Sequence, residues 1–380
     1  MDLSTICVHG CDKKFDTTGA VAVPIFASAT FAHPGVGQST GFDYSRSLNP
    51  TNVHLEDTVA ALEGGKSAVA FSSGMAAVSA LMELFSPGDH IITSDDLYGG
   101  TFRLFKHVSE KNGVKFSFFA ALKDLEKEIN PSTKAVFIET PSNPMMRVTD
   151  IAAASAITRK HNVLLIVDNT FLTPYFQRPF SLGADIVLHS GTKYLGGHND
   201  TISGMLVVKD EKLEEKLRFI AKTTGGCLSP FDSFLIIRGI KTLAVRMERQ
   251  QETAEKIVQW LLKQSAVKKV YYPGLKDHPD YEISRKQTSG FGGMLSFSVR
   301  DKKTAEHILE SVKVIKYAES LGGVESLITY PMLQTHADLP ENERKERGID
   351  ECLLRLSVGL EAAEDLIADL EQAKQVTGNR

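Results

Sequence analysis

Asp185-Ile186-Val187-Leu188-His189-Ser190-Gly191-Thr192-Lys193-Tyr194-Leu195-Gly196-Gly197-His198 begins as an apolar run and breaks into small hydroxyl and glycine residues around one lysine. Ile186 to Leu188 reads as a buried strand that stops at His189. Lys193, beside Ser190 and Thr192 just past the strand end, is placed to meet a phosphate and an aldehyde together. Strand ends are where open α/β sheets bind ligands, and lysine bonds covalently to the aldehyde of pyridoxal phosphate (PLP). The competing reading is an ordinary solvated lysine after a strand.

Upstream, Val163-Leu164-Leu165-Ile166-Val167 is a continuous apolar run that ends in Asp168. Such runs mark parallel strands covered on both faces. A carboxylate at the end of one is costly to bury unless it is paired. A PLP ring nitrogen is such a partner; a helix N-cap or a metal is another. Asp168 followed by Lys193, each just past a strand end, favours the ring nitrogen.

Outward from this pair, strands alternate with helices over roughly 60 to 210, which predicts a mostly parallel α/β sheet. Leu55 to Leu62 reads as an amphipathic helix stopped by Gly64-Gly65. The strand Ser67 to Phe71 runs through Ser73-Gly74-Met75 into a helix expected to reach Phe85, an arrangement that aims free backbone N–H groups at an anion. Ser73, Gly74 and Met75 are therefore assigned to a phosphate cradle. Tyr98 follows the strand His90 to Thr93 beside Gly99-Gly100; it is either a half-buried core ring or one stacked on a cofactor. Asn143, between Pro141 and Pro144 after the strand Val136 to Glu139, fits turn chemistry alone or a ligand contact. Tyr44 and Arg46 alternate, so on extended backbone they share a face that suits a phosphate or simply solvent. Arg355, inside Leu354-Arg355-Leu356, needs an anion: a substrate carboxylate or a structural ion pair with one of many acidic residues.

The whole chain has 380 residues, enough for two domains. Pro230 and Arg238-Gly239 place the boundary near 240, giving an irregular arm over 1–55, a cofactor-binding domain over 56–240 and an α+β domain over 241–380. Hydrophobic content of 42%, charged content of 24% and a net charge of −4 fit a soluble globular protein without a nucleic-acid footprint. No apolar run approaches the roughly 20 residues of a membrane span, and Met1-Asp2-Leu3-Ser4 opens no secretory signal. Cys7, Cys11, Cys227 and Cys352 read as free thiols in a reducing cytoplasm. Cys7 and Cys11 flank His9, but no second cluster accompanies them, so no metal site is expected.

The stretch from Asp185 to Asn199, with matches running nearly end to end, resembles the PLP-dependent enzymes of cysteine and methionine metabolism, the trans-sulfuration family. The resemblance implies the PLP-dependent transferase fold (aspartate aminotransferase-like, fold type I). It implies Lys193 and Tyr98 as catalytic residues, with PLP held by Tyr44, Arg46, Ser73, Gly74, Met75, Tyr98, Asn143, Asp168, Ser190, Thr192 and Lys193. Tyr44 and Arg46 would hold the phosphate of a neighbouring subunit, making a homo-oligomer, a tetramer of dimers that share active sites. Arg103, Glu319, Ser320 and Arg355 would face a small sulfur amino acid. Methionine γ-lyases carry a cysteine at Gly100, and β-lyases of one branch a tryptophan at Leu321; this chain has neither. Glu319 and Leu321 point to γ-elimination or γ-replacement on cystathionine or an O-acylhomoserine. A cystathionine β-lyase and, more remotely, a PLP aminotransferase are the alternatives.

Overall fold

The computed structural model describes residues 1–10, 19–337 and 341–374. Strands β1 (Ser67–Phe71), β2 (His90–Ser94), β3 (Lys115–Phe119), β4 (Thr133–Glu139), β5 (Leu164–Asp168), β6 (Ile186–Ser190) and β7 (Gly204–Val208) form one sheet in the order 1-7-6-5-4-2-3. Strands β2 to β6 pair in parallel, and β7 alone runs antiparallel to both of its neighbours. Side chains alternate between the two faces. Val136, Ile138, Leu165, Val167 and Val187 enter one apolar core, while Ala135, Phe137, Ile166, Ile186 and Leu188 enter another. Both faces are covered, so these strands are apolar throughout rather than alternating.

Strands β8 (Val267–Tyr271), β9 (Met294–Val299), β10 (Lys316–Tyr317), β11 (Leu327–Thr329) and β12 (Leu353–Ser357) form a second sheet in the order 10-11-12-9-8. Only β10 and β11 pair in parallel. The helices Lys302–Ser311 and Ala363–Ala373 share its core through Ile308, Leu309, Leu366 and Leu370.

Several expectations need correction. The arm contains a helix, α1 (Leu3–His9), capped where Asp2 accepts from the Ser4 N–H at 2.8 Å. Two turns are too short to show a period, which hid it. Cys7 on α1 is buried, whereas Cys11 lies outside the described residues. Helix α2 (Pro50–Glu63) starts five residues before Leu55, because Asn49 caps it and Pro50 supplies its first position; Gly64, in the left-handed region, ends it. Helix α3 (Gly74–Met82) ends three residues short of Phe85. Pro230 and Gly239, read as marking the domain boundary, start and sit inside the helix Pro230–Ile240. A Cβ at Gly239 would lie 2.1 Å from the Gly196 carbonyl, so the glycine serves close packing. The passage between the cores lies in the helix Leu243–Leu261, where Leu243 and Met247 join the first core and Ala254, Ile257 and Val258 the second. Among the described residues no helix is long and apolar enough to cross a membrane.

Candidate active site

Strands β4, β5 and β6 end at Glu139, Asp168 and Ser190, at one edge of the large sheet. A cavity of about 270 Å³ opens there. Ser73, Gly74, Met75, Tyr98, Asn143, Asp168, Ser190, Thr192, Lys193, Glu319, Ser320 and Arg355 all line it. One site thus gathers twelve residues chosen from sequence, some from each sheet.

Lys193 stands on the turn that leaves β6, where Gly196 N–H bonds Gly191 O at 2.9 Å and Gly197 N–H bonds Lys193 O at 2.7 Å. A Cβ at Gly191 would meet Ser203 Oγ at 2.2 Å, so the glycine lets the turn pack closely on Ser203. Lys193 Nζ donates to Ser320 Oγ at 2.9 Å. Burial and the nearby Arg355 charge push this amine down to about 8, with the Glu319 carboxylate pulling the other way. Below that pH the ammonium cannot attack an aldehyde; above it the free amine can. Recombination of cofactor-stripped protein with PLP should therefore accelerate through pH 8, well below the 10.5 of an ordinary lysine. A stopped-flow pH series checks this, and a rate still climbing only above pH 10 would contradict it.

Asp168 Oδ1 accepts from the Thr170 N–H at 3.0 Å and the Thr170 hydroxyl at 2.5 Å. The same hydroxyl accepts the Ser190 N–H at 2.9 Å, tying the end of β5 to the end of β6. Burial raises the Asp168 carboxyl, while Thr170 and the His189 charge oppose that rise. Ser73 caps α3, its hydroxyl accepting from the Ala76 N–H at 2.9 Å. The first N–H groups of α3, on Gly74 and Met75, have no carbonyl within the helix. A Cβ at Gly74 would stand 3.0 Å from Ser190, so the helix end and Ser190 nearly touch. Thr192 exchanges hydrogen bonds with Ser203 through its hydroxyl, at 3.2 and 3.0 Å.

Arg355, 1% exposed in β12, donates to Asn143 Oδ1 at 2.9 Å, Ser320 O at 2.9 Å and Thr329 Oγ1 at 3.1 Å. Its Nε is buried without a partner. Among the described residues no carboxylate forms an ion pair with it, so the structural-pair alternative is not the one the chain adopts. Burial pushes its guanidinium down to about 10. With Asn143 Oδ1 taken by Arg355, the Asn143 amide keeps its Nδ2 hydrogens for another acceptor. Ser320 joins both cations, at φ +84 in the left-handed region that non-glycine residues seldom occupy.

Three expected residues lie outside the cavity lining. Tyr44 is exposed, and Arg46 stacks over its ring at 5.4 Å while donating to Lys222 O. Arg103 is on the exposed side of α4 (Gly99–Leu104). Sequence reading assigned no role to Glu139, Thr170 or Thr335, all of which line the cavity. Asp168-Asn169-Thr170 carried a readable signal, since an aspartate often bonds the residue two positions on. Thr335 carried none; a Cβ at Gly99 would lie 2.2 Å from its carbonyl, contact that only the fold creates.

Residues 4–375 match the model of the Cys/Met metabolism PLP-dependent enzyme family. The chain belongs to that family. It is a PLP-dependent enzyme with the family's α/β transferase fold. Three relatives carry different activities at equal similarity. A cystathionine gamma-lyase of Bacillus subtilis is 48% identical over 375 residues, covering 98% of this chain and 99% of that one. A cystathionine beta-lyase of Lactococcus lactis is 49% identical over 373 residues, covering 98% of each. A cystathionine gamma-synthase of Haemophilus influenzae is 49% identical over 374 residues, covering 98% and 97%. The crystal structure of cystathionine gamma-lyase from Lactobacillus plantarum with L-serine superposes with a TM-score of 0.95 at 45% identity, covering 98% of each chain. The family enzyme's cavity fits PLP on its own features. It has helix-end N–H groups facing Ser190 for a phosphate, Asp168 for a ring nitrogen, a near-neutral lysine for an aldehyde, and an orphaned guanidinium N–H on Arg355.

Proposed function

We propose that this family member carries out γ-elimination or γ-replacement on cystathionine or an O-acylhomoserine. The observation that carries the γ preference is Leu321. It lines the cavity and is 3% exposed in the first core, where one β-lyase branch carries tryptophan. Glu319, on the same wall and acting on Lys193, supports it. A β-lyase is the second reading, kept open by the 49% identity to the Lactococcus enzyme, which matches that to the γ-synthase.

Bound PLP supplies an electron sink for charge developing at the substrate Cα. Lys193 is the residue that bonds the cofactor. Asp168, its charge steadied by Thr170, would hold the ring nitrogen; Ser73, Gly74, Met75, Ser190 and Thr192 would hold the phosphate, and Asn143 Nδ2 the phenolic oxygen. Arg355 clamps the substrate carboxylate, which fixes Cα near Lys193. Freed Lys193 Nζ would take the Cα proton, and in the γ route it would pass that proton on to the bound cofactor before it could take one from Cβ. Its lowered proton affinity suits both tasks near neutral pH. Tyr98 hands a proton to the departing group. Tyr44 and Arg46, away from their own cavity, serve the phosphate of a neighbouring subunit, and Arg103 stands toward the substrate entrance. This reading makes the enzyme a homo-oligomer, with residues 1–55 as an arm, 56–240 as the cofactor domain and 241–380 as the second domain.

Incubation of the PLP-loaded enzyme with L-cystathionine tests the γ assignment. Cysteine with 2-oxobutanoate is the expected product pair. Homocysteine with pyruvate would reverse it in favour of β-cleavage. If no cleavage occurs, cystathionine formed from an O-acylhomoserine and cysteine would place the enzyme in the synthase direction. Pyridoxamine phosphate formed with a keto acid would mark an aminotransferase.

A further inference from the structure

Glu139 is the one carboxylate of the cavity for which the functional reading gives no task. It is the last residue of β4, in the interior of the large sheet, and is 6% exposed. It stands in Cα register with Asp168 on β5. Among the described residues it forms no ion pair. Its Oε2 accepts the backbone N–H of Tyr98 at 2.9 Å. Tyr98 occupies the N-cap position of α4, yet its own side chain caps nothing. The ring instead lies against the start of the helix: a Cβ at Gly100 would come within 2.4 Å of Tyr98 Cε1 and 3.2 Å of Met75 Sδ.

We propose that Glu139 is a positioning residue for Tyr98, its carboxyl oxygen holding the Tyr98 N–H so that the ring stands at a fixed place over the cofactor cavity. The anchor is on a central strand, which moves less than the loop it holds. The aromatic contact is then located from two sides, by a hydrogen bond at the backbone and by the bare surface of Gly100 beneath the ring. Burial and the neighbouring Asp168 charge push the Glu139 carboxyl well above the usual carboxylate range. Asp168 accepts two hydrogen bonds from Thr170 and Glu139 one from Tyr98, so of the two carboxyls Glu139 is the less stabilised as an anion. With Asp168 the better-stabilised anion, Glu139 needs only to accept the Tyr98 N–H, a task glutamine can fill.

The inference rests on Tyr98 being stacked on PLP, and the test separates the two. PLP dissociation constants are measured on cofactor-stripped protein for Glu139→Ala, Glu139→Gln, Tyr98→Ala and the double Glu139→Ala/Tyr98→Ala. Glu139→Ala should weaken PLP by about tenfold, Glu139→Gln by less than about threefold, and the double variant no more than Tyr98→Ala alone, as for groups acting through one another. Glu139→Asp, whose carboxyl is one methylene too short, takes the place of alanine in the cycle if that variant does not fold. Equal losses with and without the Tyr98 ring would show that Glu139 acts elsewhere and overturn the inference. So would Glu139→Gln as impaired as Glu139→Ala, since a charge rather than an acceptor would then be needed. Unchanged PLP affinity in Tyr98→Ala would instead remove the stacking role of Tyr98, and the inference with it.

Discussion

Lys193→Ala should abolish turnover, by at least roughly 10³-fold, and with it the visible absorbance of lysine-bound cofactor. The size follows from the number of tasks on one atom. On the proposed reading Lys193 Nζ bonds the cofactor and then moves protons at Cα and Cβ, and among the described residues no second lysine lines the cavity. The substitution also frees Ser320 Oγ from its 2.9 Å contact, a minor change at a part-buried site. Folding should survive, because the variant removes a buried ammonium that desolvation disfavours. Steady-state assays together with an absorbance scan check both halves. A variant that turns over at the wild-type rate would remove Lys193 from the mechanism.

Arg355→Leu has the second largest expected effect. It should lower kcat/KM for the amino-acid substrate by roughly 30- to 1000-fold, equivalent to about 2–4 kcal/mol, with much of the loss in KM. The argument runs from burial. Desolvating a guanidinium with only carbonyl, amide and hydroxyl partners is unfavourable, and the substrate carboxylate is the anion that would offset it. Leu354 and Leu356 point to the opposite face of β12, so leucine at 355 would face Asn143, Ser320 and Thr329; removing a buried charge offsets the hydrogen bonds given up, and the apo fold should survive. Arg355→Lys keeps a charge but loses the fork, and should still be down by more than about tenfold. Wild-type KM in Arg355→Leu would assign the carboxylate to another residue. PLP affinity should change less than KM, although Asn143 loses the donor that orients its amide.

The strands that carry the site were legible because parallel strands covered on both faces leave uninterrupted apolar runs. Where such a run ends in a charged residue, as at Asp168, the sequence shows a cost that only a ligand or partner offsets. The same logic found Arg355 inside β12. It would have found Glu139, which ends Val136-Phe137-Ile138 in the same way. What it could not show is the partner, a backbone N–H on Tyr98 that lies 41 residues earlier. Contacts between the two sheets were equally hidden: Lys193 meets Ser320 across 127 residues, and Arg355 meets Asn143 across 212. No periodicity encodes such pairs. The resemblance to a known family supplied Glu319 and Ser320, which composition and spacing alone would have left in a loop. Helix α1 escaped because it is short, and the helix at Pro230 to Gly239 was hidden because proline and glycine also serve as a helix start and a close contact.

The central claim is that this cavity holds PLP on Lys193. Borohydride reduction of the PLP-loaded enzyme, followed by digestion and peptide mass spectrometry, tests it directly. The account predicts the reduced cofactor on a single peptide spanning Ser190 to Gly197, attached at Lys193. Cofactor attached at any other lysine, with Lys193 unmodified, would contradict it.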